Sequence, residues 1–176
     1  MVTTFNFQTE RLTVQSWEMS VGDPAELREL SEELRRILSP TVLAFLPPNM
    51  QLSVAEDPIL PWIQDRHAES DVLEVRNSDR LIGLVILAFD DAAMGGAKVH
   101  IGYLLGEDFW GQGYASELVE GLVNALAMKA PIEIIGGVDT GNAASARVLE
   151  KVGFIKQSES VSGDTVKYSL ELKAAS

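Results

Sequence analysis

The sequence predicts an α+β protein whose central sheet is mixed but mostly antiparallel, with six to seven strands and flanking helices. Three extended segments follow one another at residues 72–76, 81–89 and 98–105, separated by short turns, which is typical of consecutive antiparallel strands. An amphipathic helix comes next. The apolar run at residues 131–138 then suits a buried strand parallel to residues 98–105, reached by a right-handed crossover. Together these observations predict a three-layer architecture.

The first half of the chain supplies one more strand and two helices. Residues 9–17 alternate in polarity, which predicts a strand. Asp23 and Pro24 are typical of a helix start, and the apolar spacing predicts a helix over residues 24–38. Residues 41–61 contain four prolines and show no clean period, so we expect a loop with a short helix. A further turn or two of helix is predicted over residues 62–68.

The second half closes the sheet. A turn is predicted over residues 90–97, around two glycines. Asn142 is a plausible helix N-cap, and Gly153 is typical of the residue after a helix end. Residues 154–158 and 165–172 predict a final hairpin. The helix after the central strands has its apolar residues at helical spacing, at Leu118, Val119, Leu122, Val123 and Leu126.

Composition limits the function classes. The 176 residues predict one domain over residues 1–176, with its core at about 9–172. The absence of cysteine excludes thiol nucleophiles and suits a reducing compartment, so we expect a cytoplasmic protein. With only two histidines, no metal is predicted. The formal charge of −12 argues against nucleic acid or membranes as partners and suits a cationic one, or solubility alone. Both a monomer and a homodimer remain open.

Residues 101–117 read as a strand, a loop with glycines at 106, 111 and 113, and the start of a helix. Helix N-termini present unpaired N–H groups and a partial positive charge, and glycine allows close approach, so this segment predicts a phosphate-binding turn. A Walker loop is excluded because Tyr114 and Ala115 follow Gly113. A dinucleotide-binding turn is disfavoured because Ser116 stands where its third glycine would be.

A second motif follows at Asn142–Phe154. Together with the glycine turn, this chain resembles the GNAT acetyltransferase superfamily, and within it the branch that acetylates ribosomal-protein N-termini (RimJ/RimL-like). The resemblance covers residues 9–172 and is carried by four motifs in order, namely Thr9–Leu12, Ile101–Tyr103, Phe109–Ala115 and Asn142 with Ser145.

The resemblance implies direct transfer of an acetyl group from acetyl-CoA to a primary amine within a ternary complex. It further implies a V-shaped splay between the fourth and fifth strands, which the pantetheine arm fills. Trp110 stands where the family more often has Arg or Gln, which places more weight on backbone N–H groups. The residues implied in cofactor binding are Tyr103, Leu104, Leu105, Trp110, Gly111, Gln112, Gly113, Tyr114, Ala115, Ser116, Asn142 and Ser145.

The resemblance also suggests residues for catalysis. The N–H of Leu105 is the candidate donor to the thioester oxygen. His100 stands where many members have a glutamate, so it is a candidate general base, with Glu74 as an alternative. Leu149 replaces a tyrosine that often protonates the leaving thiolate, and Ser145 is the candidate acid in its place.

Two other functions remain open. Because the usual glutamate and tyrosine are missing, the protein could be a non-catalytic sensor module that binds CoA or acetyl-CoA. The other possibility is a protein that binds a partner and has no small-molecule ligand. The acceptor, a small molecule or a peptide or protein N-terminus, is expected to contact residues 41–67 and 158–166, which carry no recognisable motif.

Overall fold

The computed structural model describes residues 5–90 and 96–175. The turn predicted over residues 90–97 falls largely on residues 91–95, which lie outside the described residues. The six α-helices of the described ranges are α1 (Glu18–Gly22), α2 (Pro24–Ile37), α3 (Pro40–Leu43), α4 (Ile59–Glu69), α5 (Tyr114–Leu126) and α6 (Ala143–Val152). The strands are β1 (Phe7–Gln8), β2 (Thr13–Ser16), β3 (Asp71–Asn77), β4 (Arg80–Asp90), β5 (Ala97–Leu105), β6 (Ile132–Asp139), β7 (Ile155–Ser162) and β8 (Thr165–Leu172).

The strands form a single sheet in the order β1-β2-β3-β4-β5-β6-β8-β7. The β1–β2, β2–β3, β6–β8 and β7–β8 ladders are antiparallel, whereas β5 and β6 are parallel. The mixed, mostly antiparallel α+β fold is therefore confirmed. The β5–β6 ladder pairs Ala97–Ile101 with Ile132–Gly136 and stops there, although both strands continue. An early end of this ladder is what the predicted splay requires.

The chain divides into two compact units. The first comprises Met1–Ile86 and Tyr103–Trp110, and the second Leu87–Gly102 and Gly111–Ser176. Strands β4 and β5 each contribute residues to both units. The prediction of one domain over the whole chain stays a prediction.

The first unit is built around the apolar face of α2. Leu30, Leu34 and Ile37 lie three or four positions apart, so they share one face and are buried with Trp17 and Trp62 in one core cluster. The start of α2 is fixed by its predicted cap, because the Asp23 carboxylate accepts hydrogen bonds from the N–H groups of Ala25 and Glu26.

The second unit contains β6, β8, β7 and the helices α5 and α6, which pack on each other. Asn142 caps α6 as predicted, its side-chain oxygen accepting from the Ser145 N–H at 3.1 Å. The helix ends at Gly153, whose φ of 112° is left-handed, and Phe154 N–H donates to the Leu149 carbonyl at 3.0 Å. Both predicted ends of α6 are therefore confirmed.

The structure adds two elements that the sequence patterns did not predict. Strand β1 spans two residues and α1 spans five, both too short for a hydrophobic period to emerge. The sheet accordingly has eight strands rather than six to seven. Helix α4 is also longer than expected, from Ile59 to Glu69, and it begins ahead of Pro61 because proline is tolerated in a first helical turn.

Candidate active site

The last residues of β5 present their backbone groups on two sides of the strand. The Gly106 N–H donates to the Ile82 carbonyl on β4 at 2.9 Å. Successive residues of an antiparallel strand direct their N–H groups to opposite sides. The N–H groups of Tyr103 and Leu105 therefore face away from β4, as donors to a pantetheine arm or a thioester would have to.

Trp110 lies back against this strand end. Its indole Nε1–H donates to the Leu105 carbonyl at 2.8 Å, while 42% of the residue remains exposed. A single turn of 3-10 helix, Glu107–Phe109, reverses the chain between the two residues. The cofactor-binding role predicted for Trp110 stays a prediction, but its hydrogen bond shows a contact that the sequence pattern did not indicate.

The glycine turn ahead of α5 has the conformation that only glycine adopts readily. Gly111 and Gly113 have φ values of 70° and 82°, both left-handed, and both residues are exposed. The first intrahelical hydrogen bond runs from the Glu117 N–H to the Gly113 carbonyl, so the N–H groups of Ala115 and Ser116 have no acceptor within the helix.

Among the described residues no side chain caps this helix start, and the sequence has no lysine or arginine between Leu105 and Met128. Binding of a phosphate at this turn would thus depend on backbone N–H groups and the dipole of α5. Positive φ at both glycines and free helical N–H groups are features of an anion-binding turn. A substituted residue in place of either glycine would be strained and would narrow the approach to the backbone.

The two candidate bases have very different surroundings. His100 is an exposed residue of β5, in register with Ile135 of β6. Glu74 is fully buried on β3, and its Oε2 accepts from Arg76 Nε at 2.7 Å. Arg76 also binds Glu33 of α2 at 2.8 Å. Burial opposes the charge on Arg76, but the two carboxylates outweigh the loss of its hydration, so the pKa of Arg76 is raised.

The Glu33–Arg76–Glu74 network ties α2 to β3 and explains the buried charge. Removing one partner of such a network commonly costs about 3–5 kcal/mol, because the other charge is left buried and unpaired. Glu74 is thus held in a structural ion pair, whereas His100 is open to solvent. Of the two candidate bases, His100 is the exposed one, and its role as the base stays a prediction.

Tyr168 is a buried phenol that the sequence patterns did not single out. It lies on β8 in register with Gly136 and is 4% exposed. Burial raises its pKa, and the Glu150 carboxylate raises it further, so the hydroxyl stays protonated at neutral pH. Alternation of Val166 and Tyr168 along the closing strand is the signal that could have predicted its inward position.

A cleft of about 240 Å³ lies within the first unit, beside the end of β5. Three carboxylates and two guanidinium groups line it, together with Gly106 and apolar side chains. The charged lining residues are Glu33, Arg36, Arg80, Glu107 and Asp108. Arg80 also lies over the ring of Phe109, 4.8 Å from its centroid.

The predicted site residues fall into both units. Tyr103, Leu104, Leu105 and Trp110 belong to the first, and the structure brings Trp110 onto Leu105. His100, the 111–116 turn, Asn142 and Ser145 belong to the second, where Asn142 and Ser145 are bonded through the cap. That cap uses the backbone N–H of Ser145.

Residues 5–90 and 96–175 contain no cluster of three or more potential metal-ligating side chains. Within the same ranges, none of the helices has the length and apolar character required to cross a bilayer.

Comparison with known proteins places this site in a family. The profile of the Acetyltransferase (GNAT) domain matches residues 23–155. The chain belongs to the GNAT acetyltransferase family. As a GNAT protein it is an acetyl-CoA-dependent acyltransferase.

Individual relatives of this GNAT protein are distant. It is 28% identical over 154 residues to an uncharacterised N-acetyltransferase, p20, of Bacillus licheniformis, covering 85% of this chain and 82% of p20. RimL, a ribosomal L7/L12 α-N-protein acetyltransferase solved with coenzyme A, superposes with a TM-score of 0.72 at 16% identity, covering 97% of this chain and 99% of RimL. The ribosomal-protein-S5-alanine acetyltransferase of Vibrio fischeri superposes with a TM-score of 0.68 at 18% identity, covering 95% of this chain and 96% of that enzyme.

Proposed function

We propose that this protein transfers an acetyl group from acetyl-CoA to a primary amine, on a protein N-terminus or a small cationic molecule, by direct transfer in a ternary complex. The observation that carries the proposal is the exposed turn at Gly111 and Gly113, whose left-handed backbone opens onto the N-terminus of α5. Such a turn binds anions without basic side chains, and in this family the anion is the pyrophosphate of acetyl-CoA.

The remaining cofactor contacts follow from the directions of backbone groups. The N–H groups of Tyr103 and Leu105 face away from β4 and would pair with the amides of the pantetheine arm. Asn142 uses its side-chain oxygen to cap α6, which leaves its amide NH₂ group as a donor to the same arm.

Acetyl-CoA supplies an activated thioester, and the protein must stabilise the charge that develops on its oxygen. The Leu105 N–H is the proposed donor. A neutral amine attacks the carbonyl carbon, His100 accepts the proton that the amine loses, and the Ser145 hydroxyl donates one to the departing thiolate. His100 then releases its proton to solvent and Ser145 takes one up from solvent, which returns both residues to their starting states. A C–N bond forms as the C–S bond breaks, so the products are an amide and free CoA.

The acceptor amine would enter by the cleft beside Gly106. Gly106, which lines the cleft, directly follows the proposed oxyanion donor. A volume of about 240 Å³ is below the range of about 300–1,000 Å³ for small-molecule sites, so it would hold one terminal residue rather than a whole ligand. The fold shared with RimL and the S5-alanine enzyme supports a peptide N-terminus and a place in the ribosomal-protein N-terminal branch.

The deciding experiment is a mass-spectrometric screen of amines and N-terminal peptides incubated with acetyl-CoA. We expect one acetyl group to appear on at least one primary amine, with equal release of CoA. Tight binding of CoA with no product across the panel would instead indicate a sensor module. The absence of a thermal shift with CoA would contradict both functions.

A further inference from the structure

We infer that Trp110 is a positioning residue, which holds the Leu105 peptide so that its N–H meets the thioester oxygen. The inference rests on the proposed function, because it assigns the indole a role in the transfer step. It differs from the family expectation, in which the side chain at this position contributes to binding of the cofactor.

The peptide group before Leu105 is oriented by the absence of a side chain at Gly83. A Cβ placed on Gly83 would lie 2.2 Å from the Leu104 oxygen and 3.2 Å from the Leu104 carbonyl carbon. The oxygen is the nearer atom, so the Leu104 carbonyl points towards Gly83. A trans peptide directs its N–H opposite to its C=O. The Leu105 N–H therefore points away from Gly83, to the side that a pantetheine arm would occupy.

The peptide group after Leu105 is held at both of its polar ends. Its N–H, that of Gly106, donates to the Ile82 carbonyl at 2.9 Å. Its C=O, that of Leu105, accepts from Trp110 Nε1 at 2.8 Å. Leu105 thus lies between two peptide planes of defined orientation, and the indole provides the restraint on the side facing away from β4.

This arrangement predicts that the two parts of the Trp110 side chain have different roles. The indole N–H restrains the strand end, whereas the exposed part of the ring is free to line the cofactor path. Loss of the N–H alone should therefore slow the transfer step without weakening the binding of CoA, because small displacements of a catalytic donor cost up to about 100-fold in rate.

The test compares Trp110→Phe, which keeps an aromatic ring but removes the donor, with Trp110→Gln, which restores a side-chain N–H donor. Trp62→Phe is the matched control for stability, because Trp62 Nε1 also donates to a backbone carbonyl at 2.8 Å, that of Met50. For each variant, kcat is measured with the best acceptor, and the Kd of CoA and of acetyl-CoA by calorimetry.

We expect Trp110→Phe to lower kcat about tenfold while the Kd of CoA stays within about twofold, and Trp110→Gln to recover much of the lost rate. The preference for acetyl-CoA over CoA should fall in Trp110→Phe alone, since only acetyl-CoA offers a thioester oxygen to the Leu105 N–H. Trp62→Phe should change the melting temperature without changing that preference.

An unchanged kcat in Trp110→Phe, or a loss of CoA affinity that accounts for the whole effect, would overturn the inference. If the wild-type protein acetylates nothing in the panel, the proposed function fails by itself. The ratio of the two Kd values then still decides the positioning role, because it needs no turnover: a ratio that Trp110→Phe leaves unchanged overturns the inference, and a reduced ratio supports it.

Discussion

The strand end at Leu105 and the turn at Gly111 and Gly113 both depend on glycine, for opposite physical reasons. At the strand end, Gly83 is needed because a Cβ would collide with the Leu104 carbonyl in a buried, hydrogen-bonded sheet. At the turn, nothing lies within 4 Å of a Cβ on Gly111, and glycine is needed for its positive φ. One region is defined by packing and the other by backbone conformation. Binding of the cofactor and positioning of the reacting group can therefore be damaged separately.

The largest expected effect lies at the turn. Gly113→Asp places a carboxylate beside the N–H groups that would bind a phosphate, so we expect the affinity for CoA to fall at least about 100-fold, or ~2.7 kcal/mol. Some backbone strain is expected, but the fold should survive, because the turn is exposed and aspartate is one of the few residues that adopt a left-handed backbone. Calorimetry measures the change, with Gly113→Asn as the uncharged control. Equal affinities of Gly113→Asp and the wild type for CoA would show that the phosphate does not bind at this turn.

Gly83→Ala damages the strand end instead. The added methyl must displace the Leu104 carbonyl, which should cost about 1–3 kcal/mol of unfolding free energy, as overpacking usually does. Because the peptide before Leu105 rotates with that carbonyl, kcat should fall by roughly 30- to 100-fold. Denaturant unfolding and steady-state kinetics check the two parts. A destabilised variant with wild-type kcat would show that the strand end does not position the donor.

Ser145→Ala extends the comparison to the leaving group. The Asn142 cap bonds the Ser145 backbone N–H, so alanine keeps this capping hydrogen bond, and the melting temperature measures any other structural role of the side chain. Loss of the hydroxyl should lower kcat about tenfold, at the weak end of general-acid effects, with little change in CoA binding. Ser145→Thr, which retains a hydroxyl, is the control. A variant that turns over as fast as the wild type would exclude this serine as the acid.

His100→Gln should have the smallest effect at neutral pH. The residue is exposed, so stability should not change, and kcat/KM should fall only a few-fold because solvent can also accept the proton. The informative measurement is the pH–rate profile, whose acidic limb should flatten because a glutamine side chain cannot act as a base. A profile identical to that of the wild type would assign the base to another group.

Most of the fold could be predicted from local sequence patterns. Helix α2 begins at its predicted cap, α6 ends at its predicted glycine, and the β3–β4 and β7–β8 hairpins form where predicted, because capping and alternation act over a few residues. The short elements β1 and α1 have no such pattern. Within the candidate site, the glycine turn could be predicted from the sequence, because a backbone with positive φ strongly favours glycine.

The contacts around Leu105 could not be predicted from the sequence in the same way. The residues around Gly83 in the sequence do not indicate that its missing side chain makes room for the Leu104 carbonyl. The residues around Trp110 do not indicate that its indole N–H donates to the Leu105 carbonyl. Likewise, the sequence did not indicate that Glu74, a candidate base, would form an ion pair with Arg76, or that Arg76 would also pair with Glu33. The Gly83 and Glu33 contacts depend on which strand or helix lies alongside, and the Trp110 hydrogen bond depends on the turn between Leu105 and Trp110.

Local conformational preference and motif spacing were enough to predict the order of the longer strands and helices, the glycine turn ahead of α5 and the membership in an acetyl-CoA-dependent family. The orientation of the Leu105 peptide and the pairing of the buried ionisable groups depend on the tertiary structure. The reason is physical. A hydrogen bond such as that from Trp110 to Leu105 forms only after a turn has brought the two residues together, and the packing of β4 against β5 is set by contacts between residues distant in the chain.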